Sequence, residues 1–249
     1  MEFTGKVAVV TGAARGFGRA FCEALSARGA AVAVVDIDRN EAEAAAAAIR
    51  ADGRTALAVA CDVAEERQVA DAFAQVSGAF GHVDILINNA GLHSAAFAEP
   101  MLKSGPEKLR RLFDVNLMGV INCSLAAYPL MKDRSGACIL NISSAAGYAC
   151  PTAYGVSKQA VRGLTVTMAR EFGPDGVRVN AIAPGLIFTD TIRRELPQNL
   201  VNAALGQQVI RHEGDTQDVV EGMLYLCSSR AAFVSGETLR LSGGMGLYA

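Results

Sequence analysis

The feature that most restricts the fold of this chain is a repeated alternation of short β-branched runs with helical stretches, each strand closing on a turn that opens the next helix. Residues 7–10 run into a glycine-rich turn and then a helix over 19–28. The unit recurs: 31–35 precedes the alanine-rich helix 40–50, 55–60 precedes 65–80, and 83–87 precedes a helix after Pro106. A strand at 137–142, a long helix at 152–172, a strand at 177–182, a helix near 216–227 and a last strand around 238–241 continue the order. Consecutive strand-helix units predict an α/β fold, a doubly wound parallel sheet with helices on both faces. Ala44 to Ala48 reads as strong helix former, not as a linker.

No composition shift or fixed-period repeat divides the 249 residues, so the chain is expected to form a single domain over 1–249. With 51% hydrophobic and 19% charged residues, it suits a packed globule. Lys and Arg total 23 against 25 Asp and Glu, and the net charge of −2 removes the attraction on which nonspecific nucleic-acid binding relies. The start lacks a basic segment followed by an apolar core, and no apolar run is long enough to span a bilayer, so a cytoplasmic protein without a membrane partner is expected. Six scattered cysteines without a C-x-x-C pair, and isolated His82, His93 and His212, suggest neither a metal site nor a disulfide scaffold.

Thr11-Gly12-Ala13-Ala14-Arg15-Gly16-Phe17-Gly18 lies between the first strand and the first helix. Glycines there let the backbone bend sharply and approach a ligand, and the N–H groups at the helix start can receive a pyrophosphate. Asp36 ends the second strand, where a carboxylate can accept hydrogen bonds from an adenosine ribose and would repel a 2′-phosphate. Arg15 and Arg39 pull weakly toward NADP, but Ile37 offers no cation beside Asp36. NAD is therefore the expected cofactor of a Rossmann-type domain.

The chain resembles the short-chain dehydrogenase/reductase family over nearly its whole length. Gly12, Gly16 and Gly18 match that family's G-x-x-x-G-x-G fingerprint, and Asn88-Asn89-Ala90-Gly91 its strand-end motif. Tyr154-Gly155-Val156-Ser157-Lys158 matches its Y-x-x-x-K pair, and Pro184-Gly185 with Thr189 its P-G-x-x-x-T. The resemblance implies that Asp62 and Val63 contact adenine, and that Arg15, Phe17, Asn89, Ala90, Gly91, Pro184, Gly185, Ile187 and Thr189 line the cofactor.

Tyr154 and Lys158 are four apart in a predicted helix and so share a face. A nearby ammonium is expected to lower the phenol pKa, letting Tyr154 take an alcohol proton in oxidation and return it in reduction. Ser144 would hydrogen-bond the substrate oxygen, and the S-x-x-G continuation at Gly147 favours it over Ser143. By resemblance, Asn116 would hold a water in a relay reaching Lys158, and Lys158 would also bond the nicotinamide ribose.

Three positions depart from the family pattern: the stretch from Ser144 to Tyr154 is a few residues short, Ser242 stands where Asp is usual, and Phe17 fills an often aliphatic place. Specificity is expected in the segments 92–97, 145–151 and 186–212, the last with Leu186, Ile187, Phe188, Leu196, Leu200 and Leu205 suited to a lid or to plain packing. Arg193 and Arg194 would greet an anionic substrate or simply be solvated. The expected reaction is interconversion of a small secondary alcohol and a ketone. A 3-oxoacyl-thioester reductase, or an idle nucleotide-sensing or scaffold protein on the same fold, are the alternatives. Family members commonly pair the helices corresponding to 108–131 and 152–172, which implies a homotetramer.

Overall fold

A computed structural model describes residues 1–97, 99–188 and 198–246. Among these, seven parallel strands form one sheet: β1 (Val7–Thr11), β2 (Ala31–Asp36), β3 (Ala56–Ala60), β4 (Ile85–Asn88), β5 (Cys138–Ile142), β6 (Arg178–Pro184) and β7 (Thr238–Leu241). Their order is β3-β2-β1-β4-β5-β6-β7. Strand order reverses between β1 and β4, so the crevice outside the carboxyl ends of these two neighbours is where such a sheet receives a ligand.

Both faces of the sheet are covered, which is why β1, β4 and β5 are buried at every residue and read as continuous apolar runs. Side chains alternate between the faces. Ala8, Val10, Val32, Val34 and Leu140 belong to the core on the face that carries helices α1 (Gly16–Ala27) and α2 (Arg39–Ala51), while Val9, Ala33, Val35 and Ile139 belong to the core on the other face, with α3 (Glu66–Phe80). The alanine run of α2 buries Ala42, Ala45 and Ala46 beside Ile49, and Asp38 caps its start by accepting from the Asn40 and Glu41 amides.

The helix expected after Pro106 is more interrupted than its sequence suggests. Helix α4 (Met101–Phe113) contains a break at Gly105, whose φ of 73° and ψ of 159° are not helical, and Pro106 restarts the turn. A π-helical turn (Asp114–Met118) then leads into α5 (Gly119–Met131). After β5 come a single turn, α6 (Ala146–Ala149), and the long α7 (Ala153–Phe172). Helices α8 (Gln198–Gly206) and α9 (Thr216–Cys227) precede β7, the former inside the stretch expected to be a lid. Residues 98, 189–197 and 247–249 lie outside the described residues, and with them Thr189, Arg193, Arg194 and Leu196. Among the described residues no helix is long and apolar enough to cross a membrane.

At the opposite, amino end of the strands, fully buried Asp84 accepts from the Val7 amide at 2.9 Å, Arg134 Nε at 3.0 Å and Lys6 Nζ at 3.2 Å. Burial alone would raise its carboxyl; the Val7 amide, Arg134 and Lys6 together hold it below the ordinary carboxylate range.

Candidate active site at the carboxyl ends of β1, β4 and β5

The glycine loop is built by close backbone approach. A Cβ on Gly18 would stand 2.3 Å from the Gly12 carbonyl, and one on Gly12 would stand 2.8 Å from Ala90 Cα, so neither position admits a side chain without movement. Asn89 Nδ2 donates to the Thr11 and Gly12 carbonyls, both at 2.9 Å, while Thr11 Oγ1 accepts from the Asn89 and Ala90 amides. Asn89 therefore ties the end of β4 to the loop after β1. Thr11, not singled out in advance, is the other half of this tie, and its place at the head of the glycine run is the signal that points to it. Gly16 has φ +56° and open space where a Cβ would project, which leaves room before the first turn of α1 for a bulky anion. Arg15 is exposed at the N-cap, and Phe17 turns inward to stack on Phe21 with centroids 6.2 Å apart.

Asp36 stands at the end of β2 and braces the loop from the side, with Oδ2 accepting from the Ala14 amide at 3.0 Å and Oδ1 from the Asp38 amide at 3.1 Å. Each oxygen keeps a further lone pair for a hydroxyl donor. Asp62 accepts from the Ala64 amide and pairs with Arg111 at 2.8 Å. The Val63 side chain is buried against Gly119, and its carbonyl accepts from Asn122 Nδ2 at 3.0 Å.

Beyond β5, Ser143 and Ser144 diverge, as neighbours on an extended segment must. Ser143 is buried, and its hydroxyl donates to the Lys158 carbonyl at 2.8 Å. Ser144 Oγ accepts from the Ala146 amide at 3.2 Å, and its side chain lies on the side of the Tyr154 hydroxyl. Tyr154 sits in the first turn of α7, where Thr152 Oγ1 caps the helix by accepting from the Gly155 amide at 3.3 Å. The shortened Ser144–Tyr154 connection closes because α6 lies directly on α7: a Cβ on Gly147 would stand 2.9 Å from the Lys158 backbone. The guanidinium groups of Arg162, at 3.6 Å, and Arg240, at 4.6 Å, lie against the Tyr148 ring.

Lys158 is 5% exposed and donates Nζ to the Ile142 carbonyl at 2.8 Å, with Nζ 5.8 Å from the centre of the Tyr154 ring. Burial lowers the Lys158 ammonium to about 8. The expectation that this cation depresses the Tyr154 phenol is corrected here. Burial of the phenol outweighs the opposing influence of the Ser144 side chain, and Tyr154 lies above the ordinary tyrosine value. The protein alone thus favours a neutral, proton-bearing Tyr154.

Asn116 occupies the π-helical turn, and its amide is engaged with protein: Oδ1 accepts from the Leu92 amide at 2.7 Å and Nδ2 donates to Ser157 Oγ at 3.1 Å. Ser157 in turn donates to the Tyr154 carbonyl at 2.7 Å. Sequence reasoning passed over Ser157, although its place inside the Y-x-x-x-K segment marks it. At Gly91 the two groups converge, since a Cβ there would stand 3.3 Å from Asn116 Oδ1 and 3.4 Å from Lys158 Nζ.

On the far side, the Pro184 carbonyl accepts from the Ala145 amide at 2.8 Å, and Gly185 donates to Leu241 at 2.9 Å. Ser242, the unusual residue after β7, is buried, and its Cα would lie 2.9 Å from a Cβ on Gly185. The Ile187 and Phe188 side chains are buried, so this part of the expected lid packs inward, whereas Val209 and Ile210 are exposed. Among the described residues no group of three or more His, Cys, Asp or Glu is placed to hold a metal ion.

The chain matches a family described as Enoyl-(Acyl carrier protein) reductase over residues 12–246. It is 38% identical over 242 residues to an uncharacterized oxidoreductase of Mycobacterium tuberculosis, covering 97% of this chain and 98% of the relative. It is 34% identical to a 3alpha-hydroxysteroid dehydrogenase of Mediterraneibacter gnavus, covering 98% of each chain. A solved 7 alpha-hydroxysteroid dehydrogenase, complexed with NADH and 7-oxo glycochenodeoxycholic acid, superimposes with a TM-score of 0.91 at 32% identity, covering 99% of this chain and 97% of that one.

Proposed function

Because the chain belongs to the short-chain dehydrogenase/reductase family of oxidoreductases, we propose that it interconverts a secondary alcohol and a ketone with NAD(H), Tyr154 moving the proton. The observation that carries this reading is the grouping of Ser144, Tyr154 and the buried Lys158 at the carboxyl ends of the strands, beside the point where the strand order reverses.

The residues present fit NAD. The loop of Gly12, Gly16 and Gly18 leaves open space at the start of α1 for a pyrophosphate, with Arg15 at its rim. Asp36 keeps acceptor capacity for ribose hydroxyls and sets a negative charge where a 2′-phosphate would fall. Asp62 and Val63 would bound the adenine; Ala90, Gly91, Pro184, Gly185, the Ile187 backbone and Thr189 would bound the nicotinamide side, and Lys158 would bond its ribose. When bound, NAD supplies the carbon that accepts or returns hydride. Asn89 acts through the loop it pins, and Phe17 through its stack on Phe21.

Ser144 then holds the substrate oxygen beside the Tyr154 hydroxyl, within reach of proton transfer. A neutral Tyr154 is ready to give its proton to a developing alkoxide in ketone reduction. For alcohol oxidation it must first lose that proton, which a charged Lys158 assists. Asn116, through Leu92 and Ser157, positions the segment that faces Lys158 and, if it presents a water, extends the proton path from there. Reduction of 3-oxoacyl thioesters is the second reading, favoured by the description of the matching family.

The assembly proposed is a homotetramer, since Met118 and Leu125 on one helix path and Val156 and Val166 on α7 remain exposed. The test of the catalytic reading is a screen of secondary alcohols with NAD and of ketones with NADH, following absorbance of the reduced cofactor. Turnover in the native protein, lost in Tyr154→Phe with cofactor binding retained, is the expected result; equal turnover in both proteins would refute it.

A further inference from the structure

The amino end of the sheet, opposite the end that carries Tyr154, holds a cavity of about 420 Å³, within the size range of small-molecule sites. Lys6, just before β1, and Arg178, the first residue of β6, both line it. Buried Phe3, Ile85 and Cys227 give it an apolar wall together with Ala232, and exposed Ser135 and Ser229 add hydroxyls.

Cations at this end outnumber the carboxylates that face them. Asp84 serves Lys6 at 3.2 Å and Arg134 at 3.0 Å at once, with His82 Nε2 a further 3.1 Å contact. Glu2 is the one carboxylate among the described residues lining the cavity, and Arg230 pairs with it at 3.3 Å. Arg178 has no carboxylate partner among the described residues. It donates Nη1 to the Leu226 and Val234 carbonyls, at 3.0 and 3.3 Å, and Nη2 to that of Ser228 at 3.4 Å, where α9 ends. These bonds fix the guanidinium but leave its Nε–H and one Nη2 proton without an acceptor. Lys6 gives two of its three protons to Asp84 and to the Ser135 carbonyl, the latter at 2.8 Å, and keeps one. Gly136, at φ +74°, leaves that ammonium uncovered: even a Cβ there would come to 3.9 Å from Nζ. Donors already held in place lose little freedom when a ligand arrives.

We propose that this cavity is a second ligand site, which binds a small phosphate monoester with an apolar body: the phosphate between Lys6 and Arg178, the body against Phe3, Ile85 and Ala232. A phosphate monoester carries a charge of about −2 at neutral pH and three acceptor oxygens. That charge answers an unpaired Arg178 and a Lys6 that shares its carboxylate, and the three oxygens answer the three unused N–H protons. A carboxylate, with one charge and two oxygens, leaves part of this set unmatched. The glycine loop stands at the other end of the strands, so the pyrophosphate cradle and this site are separate.

The test is calorimetric titration of the full chain saturated with NADH, which occupies the glycine loop, using phenyl phosphate, inorganic phosphate and benzoate at one ionic strength. Phenyl phosphate should bind at one site with a Kd below about 1 mM, and on the order of tenfold more tightly than inorganic phosphate or benzoate. Ser135→Asp, a change at an exposed position, sets a negative charge beside Lys6 and should weaken phenyl phosphate on the order of tenfold. In the native protein, phenyl phosphate should slow acetylation of Lys6 by acetic anhydride, mapped by mass spectrometry. No binding at millimolar phenyl phosphate, equal affinity for benzoate or for inorganic phosphate, or an unchanged rate of Lys6 acetylation would each overturn the proposal, as would undiminished binding in folded Ser135→Asp. The acetylation measurement decides the matter should that variant fail to fold.

Discussion

Replacing Lys158 by Met should make the protein more stable at neutral pH while removing its activity. Lys158 is 5% exposed, and its ammonium titrates at about 8 in the folded chain against an ordinary 10.5. At about 1.4 kcal/mol for each pKa unit, holding the proton at pH 7 costs the fold about 3 kcal/mol. Between about 8 and 10.5 the unfolded chain binds more protons than the folded one, so stability rises with pH in that window, and the penalty is fully present below it. From pH 7 to pH 9 the native protein should therefore gain about 1 kcal/mol that the Met variant does not. Met fills a similar volume and forgoes the bond to the Ile142 carbonyl, worth about 1 kcal/mol. The variant should thus lead by about 2 kcal/mol at pH 7 and about 1 kcal/mol or less at pH 9. Urea unfolding followed by circular dichroism, at one protein concentration and both pH values, measures this. A difference between the proteins that does not change with pH would refute the reasoning, because it would mean that the buried ammonium is not what separates them.

NAD should surpass NADP in kcat/KM, and Asp36→Ala should narrow the gap; an unchanged preference would assign it to another group. Alcohol oxidation should accelerate as pH rises from 7 to 9 and ketone reduction should not, because burial keeps the proton on Tyr154; pH profiles of kcat/KM in both directions check the sign. Ser144→Ala should lower kcat/KM on the order of a hundredfold. Ser143→Ala, which removes the bond to the Lys158 carbonyl, should instead lower urea stability by about 1 kcal/mol. Light scattering at micromolar concentration should give the mass of four chains, and a monomer would refute the assembly.

Regular elements were legible because burial on both faces of a parallel sheet leaves uninterrupted β-branched runs, and the helix 216–227 and strand 238–241 lie where their pattern puts them. The π-helical turn at Asp114–Met118 was not legible, since one extra residue in a turn shifts the apolar period too little to stand out over so short a span. Helix α8 escaped notice because its apolar residues also suit a lid. The shortened stretch before Tyr154 showed in the sequence as a departure, but not its solution. A single turn fits there only because Gly147 lets it rest on the Lys158 backbone, and that contact joins residues distant in the motif order.

The site itself divides along the same line. Residue types set by chemistry, such as the glycines of the loop, Tyr154 and Lys158, announce themselves through spacing, because a helix face or a tight turn translates spacing into position. Groups that act by supporting others do not. Thr11, Ser157 and the Ile142 carbonyl have no distinctive sequence, and their roles come from partners contributed by another strand or helix. The ionisation of Tyr154 belongs with them. Four-residue spacing brings the lysine to the same helix face, yet where its charge acts is decided by the carbonyl at the end of β5 that accepts its hydrogen bond, and by the burial around both groups. Spacing therefore identifies the acid/base pair, while burial and the neighbouring strand set how firmly each of the two holds its proton.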